Sequence, residues 1–303
     1  MQTQNQAQFF SIVTAPQTTA ALVRPVDISG ASSDAQLVDL WLRGRSRHTQ
    51  RAYGADIGRF LTFTGKPLAQ DSVLDLQTFA DSLTSSPASR SRTLSAVKSL
   101  LTYGQRTGYL TFNVGAAVKL PAQKQALASR ILSEADVQSI LVLEKNPRNK
   151  LLLRLLYAAG LRVSELCGLT VRDLQARDDA GQVTVFGKGS KTRAVLLPAS
   201  VWKQLAALVE GAELDAPVFR SRKGSGPLTP MQVFRIVRAA ARRAGLTANV
   251  SPHWLRHAHA SHALDRGAPA HLVQQTLGHS SLAVTSVYAH ARPSDSSARY
   301  LVV

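Results

Sequence analysis

The sequence predicts a mainly α-helical protein of two domains with one small β-hairpin. Three observations carry that expectation. Apolar residues recur at helical spacing over most of the 303-residue chain. One stretch, 182–197, alternates instead, with Val183, Val185, Val195 and Leu197 as its apolar set. Residues 118–125 are basic, proline-bearing and non-periodic, which suits a linker between domains.

Residues 1–32 are rich in Gln, Thr and Ala, carry few charges and hold no period, so a loose tail is expected there. Helical patterning starts over 35–42. A stronger helix over 49–64 puts Tyr53, Ile57, Phe60, Leu61 and Thr64 on one face, and Gly65 and Pro67 end it. A third helix covers 74–83. A fourth covers 88–106, with Leu94, Val97 and Leu101 as its stripe and Gly108 beyond it. Residues 33–118 thus form an all-helical domain whose polar faces carry Arg90, Arg92, Lys98 and Arg106. A linker over 119–130 leads to a second domain over 131–303. There Ser133 is an expected N-cap, with Glu134 and Asp136 at the positive end of the helix it opens. A helix follows over 150–159. The alternating strands flank Gly187-Lys188-Gly189-Ser190, which makes a hairpin. The rest reads as short capped helices: Ser251-Pro252 starts one and Gly267 stops it, Pro269 starts the next and Gly278 stops it, and Ser280 or Ser281 opens the piece bearing Tyr288.

The chain carries 36 Lys and Arg against 19 Asp and Glu, a formal charge of +17. That excess favours polyanions, and nucleic acid above all, because a row of phosphates releases many counterions when neutralised. A membrane surface is disfavoured, since no basic amphipathic anchor stands apart from the folded regions. The single cysteine, Cys167, excludes an intrachain disulfide and suits a reducing cytoplasm. The first residues lack the charged start and apolar run of a signal peptide. The most apolar stretch, 151–161, is broken by Arg154 and is too short to span a bilayer. A cytoplasmic, DNA-associated protein without a membrane partner is the expectation.

The chemistry lies in two separated constellations. Arg162 and Glu165 sit in Gly160-Leu161-Arg162-Val163-Ser164-Glu165-Leu166. His253, Arg256, His279 and Tyr288 lie between Ser251 and His290. His253 and Arg256, three apart, share a face near a helix start, where partial positive charge and unpaired N–H groups seat a phosphate. Attack on a phosphodiester builds extra negative charge, and two arginine forks can neutralise it as a metal would. Tyrosine has an ordinary pKa near ~10, so a nucleophilic phenol needs cationic neighbours and a histidine to take its proton. A lysine at a hairpin tip, Lys188, can protonate the departing 5′ oxygen. No acidic cluster suits Mg²⁺: Asp178 and Asp179 are expected in a solvated turn. His257, His259 and His262 lack a carboxylate or cysteine to complete a metal shell, and His257 is expected as a structural, hydrogen-bonded residue. Gly187 to Thr192 lacks the residue order of a nucleotide-binding phosphate loop. No metal or other cofactor is expected.

These segments resemble the signature of the tyrosine site-specific recombinases, the phage-integrase and Xer-like family. Ser251-Pro252-His253-Trp254-Leu255-Arg256-His257 is similar to its His-x-x-Arg box, Leu277-Gly278-His279-Ser280 to its Leu-Gly-His box and Val287-Tyr288-Ala289-His290 to its nucleophile segment. The Arg162 segment resembles the first arginine box and the Lys188 hairpin the lysine strand pair. The resemblance implies a helical core-binding domain and an α+β catalytic domain that clamp DNA. It implies that Arg162 and Arg256 hold the scissile phosphate, Lys188 is the general acid, His253 assists proton transfer, His279 binds the phosphate and Tyr288 forms a 3′-phosphotyrosine bond. Glu165 would hold a histidine or an arginine in place. Lys191 and Arg193 would join Arg90, Arg92, Lys98 and Arg106 on DNA. A homotetramer on two sites would exchange strands without ATP, alone or with a partner recombinase. Here the sequence departs from the family in having Asn113-Val114 where Asn-Pro is frequent, and only 15 residues follow Tyr288. A DNA-binding protein without strand exchange, a type IB-like topoisomerase and a metal-dependent nuclease are the competing readings.

Overall fold

The computed structural model describes residues 26–121, 127–178, 180–187, 192–221, 224, 226–279 and 281–291. The chain forms two compact units, Met1–Lys124 and Gln125–Val303.

The first unit is built from α1 (Asp34–Leu42), α2 (Arg47–Thr64), α3 (Val73–Ser82) and α4 (Pro87–Arg106). Each start is set by a serine: Ser33, Ser46, Ser72 and Ser86 all accept a backbone N–H of the first turn, which replaces a missing intrahelical partner. These caps explain why α2 and α4 begin earlier than their apolar stripes suggest. Gly65, at φ +64°, closes α2 in the left-handed conformation. The core joins Leu37, Ile57, Phe60, Leu76, Phe79, Leu94, Val97, Leu100 and Leu101, with Phe60 and Phe79 edge to face at 5.1 Å. Burying each such side chain contributes about 1.5–3 kcal/mol. Asp56 on α2 is buried, paired with Arg92 and hydrogen-bonded by Thr93 at 3.0 Å.

The second unit contains α5 (Glu134–Val142), α6 (Pro147–Ala158), α7 (Val163–Gly168), β1 (Leu174–Arg177), β2 (Ala180–Phe186), β3 (Thr192–Leu197), α8 (Ala199–Val209), α9 (Pro230–Arg243), α10 (Pro252–Asp265), α11 (Ala270–Leu277) and α12 (Leu282–Ala291). Leu151, Leu152, Leu153, Leu155 and Leu156 of α6 are all buried. A helix that is apolar nearly all round must be central, and α6 packs against α10 and α8. The expected hairpin is present, but as two strands of an antiparallel sheet of three, in the order β1-β2-β3. The additional strand β1 pairs Leu174 with Val183. Of the expected acidic turn, Asp178, with φ at +46°, lies in a turn just after β1, and Asp179 lies outside the described residues. Gly181 of β2 lies under α8: a Cβ there would meet the Trp202 ring at 2.0 Å. Among the described residues, no helix is long and apolar enough to cross a membrane.

Candidate active site

The site forms where the ends of α6 and α11, the start of α7, the body of α10 and α12 converge. α6 stops at Gly160, at φ +57°. A Cβ there would meet Leu277 at 2.5 Å, so glycine alone lets α11 approach. Arg162 is then the N-cap of α7. Its backbone N–H donates to Glu165 Oε2 at 2.7 Å and its Nη1 donates to Oε1 at 2.8 Å. Its Nη2 reaches the Gly278 carbonyl at 3.3 Å. The guanidinium stays one-third exposed (33 %), so one face remains open to solvent.

Glu165 is the anion that holds this corner. Its side chain is 3 % exposed. Arg193 of β3 grips it with both terminal nitrogens, at 2.9 Å each, and its Nε donates to the Thr276 carbonyl at 2.7 Å. Burial by itself raises a carboxyl. Hydrogen bonds from Arg193, then from the backbone and side chain of Arg162, outweigh it and hold Glu165 down at about 2. Arg193 was expected on DNA. The structure turns it inward instead, with Glu165 and Thr276 taking its donors. Strand alternation explains this: Arg193 lies on the same strand face as the buried Val195 and Leu197.

Arg256, on α10, is only 3 % exposed. Its Nη1 donates to the Gly160 carbonyl at 2.5 Å and its Nη2 to the Leu277 carbonyl at 2.6 Å. Burial, and then the charge of Arg162, lower its pKa to about 10. The two arginines thus converge on the carbonyls of Gly160, Leu277 and Gly278.

Tyr288 of α12 is 7 % exposed and packs among Ile131, Ala260, Val273 and Leu277. Its hydroxyl lies 2.9 Å from His257 Nδ1. The His279 ring lies nearly parallel to the phenol, with centroids 6.0 Å apart at 7°, and its Nδ1 is 2.9 Å from Thr285 Oγ1. His253 is at the start of α10 and stacks on His257 at 6.1 Å. Burial raises the phenol, while Arg256 and Arg162 pull it back down. All three histidines are pushed toward the neutral form, by burial first and then by cations: His257 and His279 to about 4, and His253 in the same direction.

Arg162, Glu165, His253, Arg256, His279 and Tyr288 are therefore brought together. Lys188 and Lys191 lie outside the described residues, as does the chain beyond α12. Of the arginines and lysines expected on DNA in the first unit, Arg106 is exposed in the last turn of α4 and Arg90 is half-buried. Arg92 pairs with Asp56, and Lys98 donates to the Val118 carbonyl. His257 was expected to be only structural, yet it touches the phenol oxygen. Its spacing held the signal: four residues after His253, it shares that residue's helix face. His259 donates to the Tyr157 carbonyl at 2.8 Å, and His262 bridges the Leu132 carbonyl and the Tyr157 hydroxyl, so both have structural posts.

The chain is similar to known proteins in sequence and in fold. Residues 130–295 match the phage integrase family, and residues 37–108 match the phage integrase N-terminal SAM-like domain. The chain is 35 % identical to the tyrosine recombinase XerC of Xylella fastidiosa, over 82 % of this chain and 87 % of the relative. It is 34 % identical to the tyrosine recombinase XerD of Pseudomonas aeruginosa, over 86 % and 94 %. The fold is shared with two solved structures. One is a lambda integrase dimer bound to a core site (TM-score 0.71, 22 % identity, 87 % of this chain and 95 % of that one). The other is XerH bound to its palindromic substrate after cleavage (TM-score 0.69, 23 % identity, 86 % and 82 %).

Proposed function

As a member of the phage integrase family of tyrosine recombinases, the chain is an enzyme of site-specific DNA strand transfer, and we propose that it cleaves and rejoins duplex DNA through Tyr288. The observation that carries this assignment is the convergence around one phenol of two guanidiniums and three imidazoles drawn from separate segments of the chain.

Arg162 and Arg256 bind the scissile phosphate. Each guanidinium has five N–H groups, so the carbonyl bonds that orient the forks leave donors for non-bridging oxygens. The charge on the five-coordinate phosphorus then meets fixed cations. One such donor is typically worth about 3–4 kcal/mol of barrier. Glu165 sets the direction of Arg162 and draws Arg193 against it. His279 lies flat beside the phenol and contributes to phosphate binding, and His253 assists proton transfer at the exposed start of α10. Lys188, between β2 and β3 in the sequence, protonates the leaving 5′ oxygen. The product of the first step is a 3′-phosphotyrosine linkage. It conserves the energy of the broken bond, so joining to another strand needs no ATP.

The partner is double-stranded DNA, which suits the charge of +17. Arg90, Arg92, Lys98 and Arg106 on α4, with Lys191, meet its backbone. Two DNA sites are held by a homotetramer, alone or with a partner recombinase. The test is a duplex nicked near the cleavage point, which traps the covalent intermediate when the short fragment diffuses away. A denaturation-stable adduct at Tyr288 is expected. Bound but uncleaved DNA would refute the catalytic assignment, and relaxation of arbitrary supercoiled DNA by a monomer would identify a topoisomerase instead.

A further inference from the structure

A nucleophilic phenol must lose its proton, and the structure shows which side chain its hydroxyl meets. Tyr288 Oη is 2.9 Å from His257 Nδ1. The other two histidines of the site are differently engaged. His279 places its Nδ1 on Thr285 and offers the phenol only its ring face. His253 offers its ring face to His257. Local structure fixes this choice: α12 packs on α10, and His257 is the α10 histidine that faces it at the level of Tyr288.

We propose that His257 is the base that takes the phenolic proton of Tyr288 at cleavage and returns it at religation. This rests on the strand-transfer assignment above. As Oη bonds to phosphorus, the O–H proton passes to Nδ1 of His257 and the P–O5′ bond breaks. O5′ takes a proton from the general acid, Lys188. Religation reverses each transfer: the attacking 5′ hydroxyl gives its proton to the lysine, the P–Oη bond breaks, and the phenolate recovers its proton from the imidazolium.

The timing follows from the charges around the pair. His253 and Arg256 of α10, Arg130 in the turn before α5, and Tyr288 of α12 face His257. Burial, the neighbouring His253 and the charges of Arg256 and Arg130 keep His257 neutral, and burial keeps Tyr288 protonated. Without DNA, the proton therefore stays on the phenol and no free nucleophile forms. An arriving phosphate brings negative charge that favours the imidazolium, and the forming P–O bond acidifies the phenol. Transfer is then concerted with attack.

The experiment measures single-turnover adduct formation on the nicked duplex by the full chain, with duplex binding measured in parallel. His257→Phe keeps the ring but not the nitrogen. It should bind DNA as the unaltered chain does and form adduct about 100-fold more slowly, at the low end for loss of a general base. His257→Asn places an amide where Nδ1 was; it can hydrogen-bond the phenol but cannot accept its proton, and should remain slow. His257→Ala should recover with added azoles, the more basic ones rescuing more. An unslowed His257→Phe, a fully active His257→Asn, or an alanine variant indifferent to azole basicity would each overturn the inference while the unaltered chain still formed adduct. No adduct from the unaltered chain would overturn the strand-transfer assignment and this inference together.

Discussion

Replacing Glu165 with Gln tests the electrostatic frame of the site without touching the nucleophile. Glu165 is buried and receives both terminal nitrogens of Arg193, plus the backbone and side chain of Arg162. Its pKa falls from an ordinary 4.5 to about 2. At ~1.4 kcal/mol per pH unit, the ionised form gains roughly 3 kcal/mol on folding, within the ~3–5 kcal/mol lost when one partner of a buried pair is removed. An amide keeps the shape but points N–H groups at two guanidiniums. For a domain of roughly 150–250 residues, ~3 kcal/mol lowers the melting temperature by about 6–12 °C. The carboxyl is depressed in the folded state, so its contribution is complete above pH 4.5 and fades as the pH falls toward 2. Calorimetry of both proteins from pH 7 downward should show the widest gap near neutrality and a narrowing gap below pH 4.5. Equal melting at pH 7, or a gap that does not change with acid, would refute the reasoning.

Tyr288→Phe should bind duplex DNA normally and give no covalent adduct on the nicked substrate; an adduct would remove Tyr288 as nucleophile. Lys188→Ala should slow cleavage of ordinary DNA and recover on a substrate with a 5′-bridging thiol, which leaves without a proton; lack of recovery would assign the acid to another residue. Gly181→Ala should destabilise the second unit by about 1–3 kcal/mol, because the added methyl meets the Trp202 ring, and a melt unchanged from the parent would contradict that packing.

The helices were legible because their caps and stripes agree: Ser72 and Ser133 complete capping boxes with Asp75 and Asp136. Strand β1 was not, since Leu174–Arg177 is short, mostly exposed and gains its order from pairing with β2. In the site, glycine-bounded turns and the spacing of Arg162, Arg256, His279 and Tyr288 were readable. Partner choice was not. Whether an arginine meets DNA or a carboxylate depends on which strand face it occupies and what lies opposite. Arg193 and Glu165 are 28 residues apart and meet only in three dimensions. His257 was hidden for a related reason: its neighbour, Tyr288, arrives from a helix 31 residues later.

The buried guanidinium at position 256 does two jobs with one group. It bridges the last carbonyl of α11 and the carbonyl just past α6. A lysine ammonium is a single point and cannot span both acceptors as a planar fork does. Inactivation on replacing Arg256 would thus report a joint pulled open as much as a missing charge, whereas loss of the one-third exposed Arg162 still leaves Glu165 its Arg193 fork and comes closer to isolating phosphate recognition. Of the pair, Arg162 is the informative one to alter and Arg256 the one least able to change in isolation.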